Sequence, residues 1–193
     1  MSFRDLYDYV QTLEVPIQES ELRRKLRELS SIPVKVISIK MNPDLMFGKY
    51  ISHRNEDNLY FKAPPGTSVI LLSDSLSPDW ARIVQFKELM HLFDDPMQHT
   101  NNAEEFEQLL IGLCDQLTGR TPQEESELEC MWRALAICCP EELRVELSQH
   151  RDSKTLSDAD IAKKLQIPER FVPHLFSANY KTNVQILLTK PSN

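Results

Sequence analysis

The run Trp80-Ala-Arg-Ile-Val-Gln-Phe-Lys-Glu-Leu-Met-His-Leu-Phe93 constrains this chain more than any other stretch. Trp80, Ile83, Val84, Phe86, Leu89, Met90 and Phe93 place apolar side chains on almost every side of a helix. A helix that is apolar all round must be enclosed by the rest of the fold. Its last two turns nevertheless carry Lys87, Glu88 and His91. Ionisable groups on such a helix cost free energy unless they meet partners or perform chemistry. Any site this sequence encodes should therefore lie here.

Spacing sharpens the point. Residues four apart share a helix face, so Lys87 and His91 project side by side, with Glu88 one position further round. In an H-E-x-x-H helix the outer positions are zinc ligands and the Glu activates the metal-bound water. Lys87-Glu88-Leu89-Met90-His91 has a lysine at the first ligand position. Taken alone, the pentad also suits an ordinary amphipathic helix end, with a snorkelling lysine and a hydrogen-bonded histidine.

The 193 residues suit one moderately large domain that buries a core without disulfides. A net charge of -7 argues against broad binding to nucleic acid or anionic membrane. No apolar run approaches a membrane span, and Met1-Ser-Phe-Arg-Asp-Leu6 lacks the blocks of a signal peptide. Cys114, Cys130, Cys138 and Cys139 show no C-x-x-C pairing, which argues against a zinc knot. Three of the cysteines read as small hydrophobes in apolar helical surroundings, and the expectation is a reduced, cytoplasmic protein.

Residues 1 to 30 should form two helices, one with Leu6, Val10 and Leu13 inward, the other with Leu22, Leu26 and Leu29, broken at Val15-Pro16 and capped by Ser20. The charges between Glu21 and Glu28 read as a solvated face. Val34–Ile39 alternates like a half-buried strand, Asn58–Lys62 is a shorter candidate, and Ser68–Ser73 suits a central one. Ser77, Pro78 and Asp79 form a helix start for the key run, and Asp94-Asp95-Pro96 its end. A scaffold helix follows from Asn102 to Gly119. Thr121-Pro122-Gln123-Glu124 is a capping box opening a helix with Leu128, Met131, Trp132 and Leu135 inward. Glu129 lies about 100° round from Leu128, at the margin of that stripe, where glutamates commonly serve solubility. From Leu156 to Val172 the cadence is that of a helix-turn-helix, capped by Ser157 and turning at Ile167-Pro168. Arg170, His174 and Lys181 are a thin basic set for a DNA reader, so the segment reads as a packing element.

Three segments taken in order resemble the ImmA/IrrE metallopeptidases: Ile70–Leu76, Phe86–His91 and Glu127–Pro140. Members of that family run from a strand to an H-E-x-G-H helix, then through a linking helix to an E-x-E-A-x-x-F-A helix that carries the third zinc ligand. The resemblance, over roughly residues 30 to 180, implies an α+β fold: a mostly helical zincin-like domain with a small sheet before the K-E-x-x-H helix. It also implies a trailing helix-turn-helix-like segment. One domain spans 1–193, with a core at 30–140 and a C-terminal helical segment at 141–193. Matched by position, Glu88 takes the catalytic place, and His91 and Glu129 take metal places.

The departures from the pattern fall at the chemistry. Lys87 replaces the first ligand, and a protonated amine has no lone pair for zinc. His91 and Glu129 are one short of the three protein ligands of a catalytic zinc site. His99 could reach back only through a bend at Asp94-Asp95-Pro96. The substitution suggests instead that the Lys87 ammonium stands among Glu88 and Glu129 where the cation stood. The expectation is a metal-free, inactive relative that binds a protein partner, such as a repressor-like regulator, with no membrane or nucleic-acid role. An active zinc peptidase with a non-standard site is the alternative.

Overall fold

The computed structural model describes residues 1–42, 46–94 and 122–190. Helix α1 (Phe3–Val10) buries Phe3, Leu6 and Val10, and its first turn is capped by the Ser2 hydroxyl, which accepts from the Arg4 amide. Helix α2 (Glu19–Ser30) buries Leu22 and Leu26. It starts earlier than expected: Gln18 is the flanking residue, and Ser20 lies inside the first turn between Glu19 and Glu21. Acidic groups at a helix N-terminus are favoured by its dipole, so the acids start this helix without a hydroxyl cap.

The sheet has three strands, β1 (Val34–Ile39), β2 (Gly48–Ile51) and β3 (Ser68–Ser73), in the order β1-β3-β2. Strand β3 runs parallel to β1, with Val34 opposite Ser68, and antiparallel to β2, with Tyr50 opposite Ile70. It is central, as its apolar run implied, and buried along its whole length. Ile70 and Leu72 face the main helical core, whereas Val69 and Leu71 join Ile51 and Ala63 in a smaller cluster on the opposite face. That two-sided burial explains an apolar run without alternation.

The expected strand at Asn58–Lys62 is corrected. Glu56–Phe61 is a 3-10 helix in which Leu59 and Tyr60 lie exposed. The second pairing partner of β3 is instead Gly48-Lys-Tyr-Ile51, a short edge strand with a glycine and a lysine that shows no strand pattern of its own.

Helix α3 (Pro78–Met90) is the buried helix predicted above, and every residue from Ile83 to Met90 is buried. Ser77 flanks it in an extended conformation with Pro78 at the first position, although the Ser77 side chain makes no capping bond. The chain tightens into a 3-10 turn over His91–Phe93 and leaves at Asp94. Helix α4 (Pro122–Cys138) packs against α3. The scaffold helix expected from Asn102 to Gly119 lies outside the described residues, as do Cys114, Thr121, His99 and the Asp95-Pro96 pair.

Helix α5 (Glu141–Asp152) follows Pro140, and α6 (Asp158–Leu165) begins with a full capping box between Ser157 and Asp160. After a turn through Gln166, which takes a left-handed φ of 55°, come a 3-10 turn (Glu169–Phe171), the single-turn α7 (Val172–Leu175) and α8 (Tyr180–Thr189). Phe171, Val172 and Leu175 are buried in the main core. Trp80 meets Phe171 edge-on at 5.6 Å, Trp132 meets Tyr180 at 6.1 Å, and Arg144 bonds the Leu175 carbonyl at 3.2 Å. The C-terminal helices therefore share the core of the site helices. No helix among the described residues is long and apolar enough to cross a membrane.

Candidate functional site

The buried charges gather between α3 and α4. Lys87 projects from the penultimate turn of α3 with only 5% of its surface exposed. Its ammonium lies 3.0 Å from Glu88 Oε1 and also pairs with Glu127 on α4. Burial alone would lower the pKa of this amine. The carboxylates of Glu88 and Glu127 outweigh that effect and hold its pKa above the usual lysine value.

His91 sits where α3 gives way to the 3-10 turn, and both its ring nitrogens face carboxylates. Nδ1 lies 2.6 Å from Asp94 Oδ2, while Nε2 lies 3.4 Å from Glu127 and 3.7 Å from Glu88. A ring flanked this way is suited to the imidazolium, which has two donors. Desolvation lowers the His91 pKa, but Cys130, Asp94 and Glu127 together raise it well above the ordinary histidine value. Burial pulls Asp94 the other way from its partners, yet His91, Arg133 and Ser126 leave it below the usual aspartate range. Glu127, despite burial, is lowered by Lys87 and His91. The Tyr50 ring of β2 stacks on His91 at 5.6 Å, and its hydroxyl lies 2.9 Å from Ser68 Oγ on β3.

Helix α4 supplies the other half. Ser126 donates to Asp94 Oδ2 at 2.6 Å, and Arg133 bonds Asp94 Oδ1 at 3.2 Å and Glu129 Oε2 at 3.0 Å. Lys190, at the end of α8, pairs with the other oxygen of Glu129. The guanidinium of Arg133 lies beside the edge-on pair of Phe3 and Phe93, 5.9 Å from each ring centre. Lys87, protonated His91, Arg133 and Lys190 thus face Glu88, Asp94, Glu127 and Glu129, a balanced set of opposite charges.

The structure brings together Lys87, Glu88 and His91 as the spacing required. Glu129 is buried in the same cluster, but its carboxylate is engaged by Arg133 and Lys190, and Glu127 is the α4 residue that meets Lys87 and His91. Residues 127 and 129 differ by about 200° around a helix, so a two-residue ambiguity in matching moves the carboxylate to the opposite side. Cys130 also departs from expectation. It lies 3.5 Å from His91 Nδ1 and 3.6 Å from Asp94 Oδ1, inside the polar cluster, whereas Cys138 and Cys139 are buried among hydrophobes with thiols pushed up to about 12 by burial. Sequence reading missed Asp94, Ser126, Glu127, Cys130, Arg133 and Lys190. One signal was available: Ser126, Cys130 and Arg133 recur at i, i+4 and i+7 of a helix otherwise rich in buried apolar residues.

The sequence matches no family model and no curated protein. The site must therefore be read from its own geometry. Zinc in the H-E-x-x-H manner does not fit the residues present: the first ligand position holds an ammonium that is already paired with the neighbouring carboxylates.

Proposed function

We propose that this chain is a catalytically inactive relative of the ImmA/IrrE metallopeptidases, a zincin-like scaffold retained as a binding or regulatory module for a protein partner. The family resemblance supplies the partner class, a repressor-like regulator. One observation carries the reading: the Lys87 ammonium lies between Glu88 and Glu127, beside His91, where a metallopeptidase would need a divalent cation. A buried pair of carboxylates without a cation is costly, and the lysine offsets that cost. Glu88, bound to Lys87, has no polarised water to activate.

The test is Lys87→His. Wild-type protein should purify without stoichiometric zinc and leave peptide substrates intact. The variant should gain zinc binding through the introduced histidine, His91 and Glu127. Adding Glu127→Gln should abolish that gain, and adding Glu129→Gln should preserve it. Stoichiometric zinc in the wild type, or no gain on substitution, would sink the idea that an amine replaces the metal.

A second reading keeps a metal, as an active peptidase with a non-standard site. It is favoured by the ligand atoms of His91, Asp94 and Cys130 lying within 4.8 Å of one another. Imidazole, carboxylate and thiolate all suit zinc. Against it, Arg133 already holds Asp94 and lies 3.8 Å from the Cys130 sulfur. Cobalt titration separates the two: a sulfur-to-cobalt absorption band, absent in Cys130→Ser, would favour the metal.

A further inference from the structure

Strand β1 is an open edge of the sheet. None of its residues is buried, whereas β3 is buried throughout. The carbonyls of Pro33 and Ile39 accept from the Ser68 and Asp74 amides at 2.9 and 3.0 Å. Successive peptide groups of a strand point to opposite sides, so the odd-numbered residues bond β3, while the backbone groups of Val34, Val36 and Ser38 point away from it. Such a row of unpaired groups is a template for another strand unless something blunts it, commonly a lysine. Lys35 does not serve that way. Its amine folds back onto the Phe61 and Lys62 carbonyls, at 3.0 and 3.2 Å, and ties the end of the 3-10 helix to β1. That helix holds out Leu59 and Tyr60, 67% and 84% exposed.

The chemistry of an occupant follows from charge. Residues 32–68 carry five lysines and arginines against three acids, in a chain whose net charge is -7. Among the described residues, Lys35, Lys40, Lys49, Arg54 and Lys62 have no carboxylate partner. Arg23, Arg24 and Lys25 of α2, by contrast, pair with glutamates of their own helix. Pairing with β1 of a second copy would set these cations against themselves, whereas an acidic segment complements them. Half-buried Val34 and Val36 on one face of the edge, and Ile37 and Ile39 on the other, suit apolar side chains in the same segment. We propose that β1 receives an extended acidic segment of a protein partner, added as a further strand of the sheet. Main-chain bonds to Val34, Val36 and Ser38 supply affinity, and the surrounding cations supply selectivity. This deepens the binding-module reading above and rests on it for the expectation that the partner is a protein. The surface lies at the edge opposite β2, apart from the Lys87 cluster.

The probe is a capped heptapeptide alternating glutamate and valine, titrated into the full chain and followed by amide NMR. It should give saturable shifts along β1 and slow hydrogen exchange at Val34, Val36 and Ser38, which the ladder to β3 leaves unprotected. The lysine–valine analogue, and a glutamate–valine peptide methylated at alternate amide nitrogens, should each bind at least about tenfold more weakly. Lys40→Glu combined with Lys62→Glu should weaken binding by a similar factor. Ser38→Pro should abolish it while the sheet is kept, since the amide it removes points away from β3. No saturable binding, equal binding of either analogue, retained binding by Ser38→Pro, shifts centred on β2, or tighter binding of oligothymidylate would overturn the proposal. Protection of the three amides that grows with protein concentration alone would give the edge to a second copy and overturn it equally. Peptide binding at β1 by a chain that also carries stoichiometric zinc would support this surface and refute the metal-free reading. Failure to bind in a zinc-free chain would refute this surface alone.

Discussion

At the scale of single residues, Lys87 is the position on which most of the site's energetics turn. It is buried with Glu88 and Glu127, and breaking a buried ion pair by removing one partner costs about 3–5 kcal/mol, because the partner charge stays behind. Lys87→Met should therefore lower the urea midpoint strongly. Lys87→Met combined with Glu88→Leu and Glu127→Leu should recover much of the loss, since replacing the ammonium and both of its carboxylate partners with apolar groups removes the desolvation penalty along with the attraction. A triple variant as unstable as the single one would mean that the lysine acts mainly through packing. The same residue shows how far local spacing reaches. That Lys87, Glu88 and His91 would converge follows from helical periodicity, but which α4 carboxylate meets them depends on how two helices are rotated against each other.

At the scale of elements, β2 does more than complete the sheet. It crosses α3 so closely that a Cβ added at Gly48 would lie 2.5 Å from Val84 Cγ1 and 3.3 Å from Glu88 Cγ. This approach lays Tyr50 over His91. Gly48→Ala should destabilise the fold by about 1–3 kcal/mol, the usual cost of overpacking. It should also shift the NMR resonances of the His91 ring, and a neutral effect on both would show that the strand sits further from α3. The helix-turn-helix cadence after Leu156 resolves into a capped α6 and a one-turn α7 whose apolar residues face the core. A capping box is a local device that can be read from four residues, whereas the use to which the following turn is put is a matter of packing.

At the scale of the whole molecule, the charge cluster joins α3, α4 and the end of α8, so its titration should appear in global stability. The His91 pKa is raised on folding, so its contribution is complete below about 6.5 and is lost as pH climbs through the higher folded value. Asp94 and Glu127 are lowered, so theirs is present above about 4.5 and lost as pH falls through their folded values. Urea midpoints should peak between these limits and decline on both sides. The part of the decline that sets in above about pH 6.5, before buried thiols begin to contribute at about 9, should vanish in His91→Gln; if it persists there, another group is responsible.

The α+β class was what the family resemblance implied, while helical periodicity, apolar runs and capping residues were enough to read a buried α3 with ionisable side chains at its end, a strand at β1 and a central strand at β3. Those features depend on neighbours a few positions away, and a linear sequence displays them. The edge strand β2, the 3-10 turn at Glu56–Phe61, the choice of Glu127 over Glu129 as partner of Lys87, and the recruitment of Asp94, Arg133 and Lys190 were set only by tertiary structure. Each depends on the mutual placement of segments distant in sequence, where a rotation of one helix by half a turn changes which carboxylate is buried against which cation.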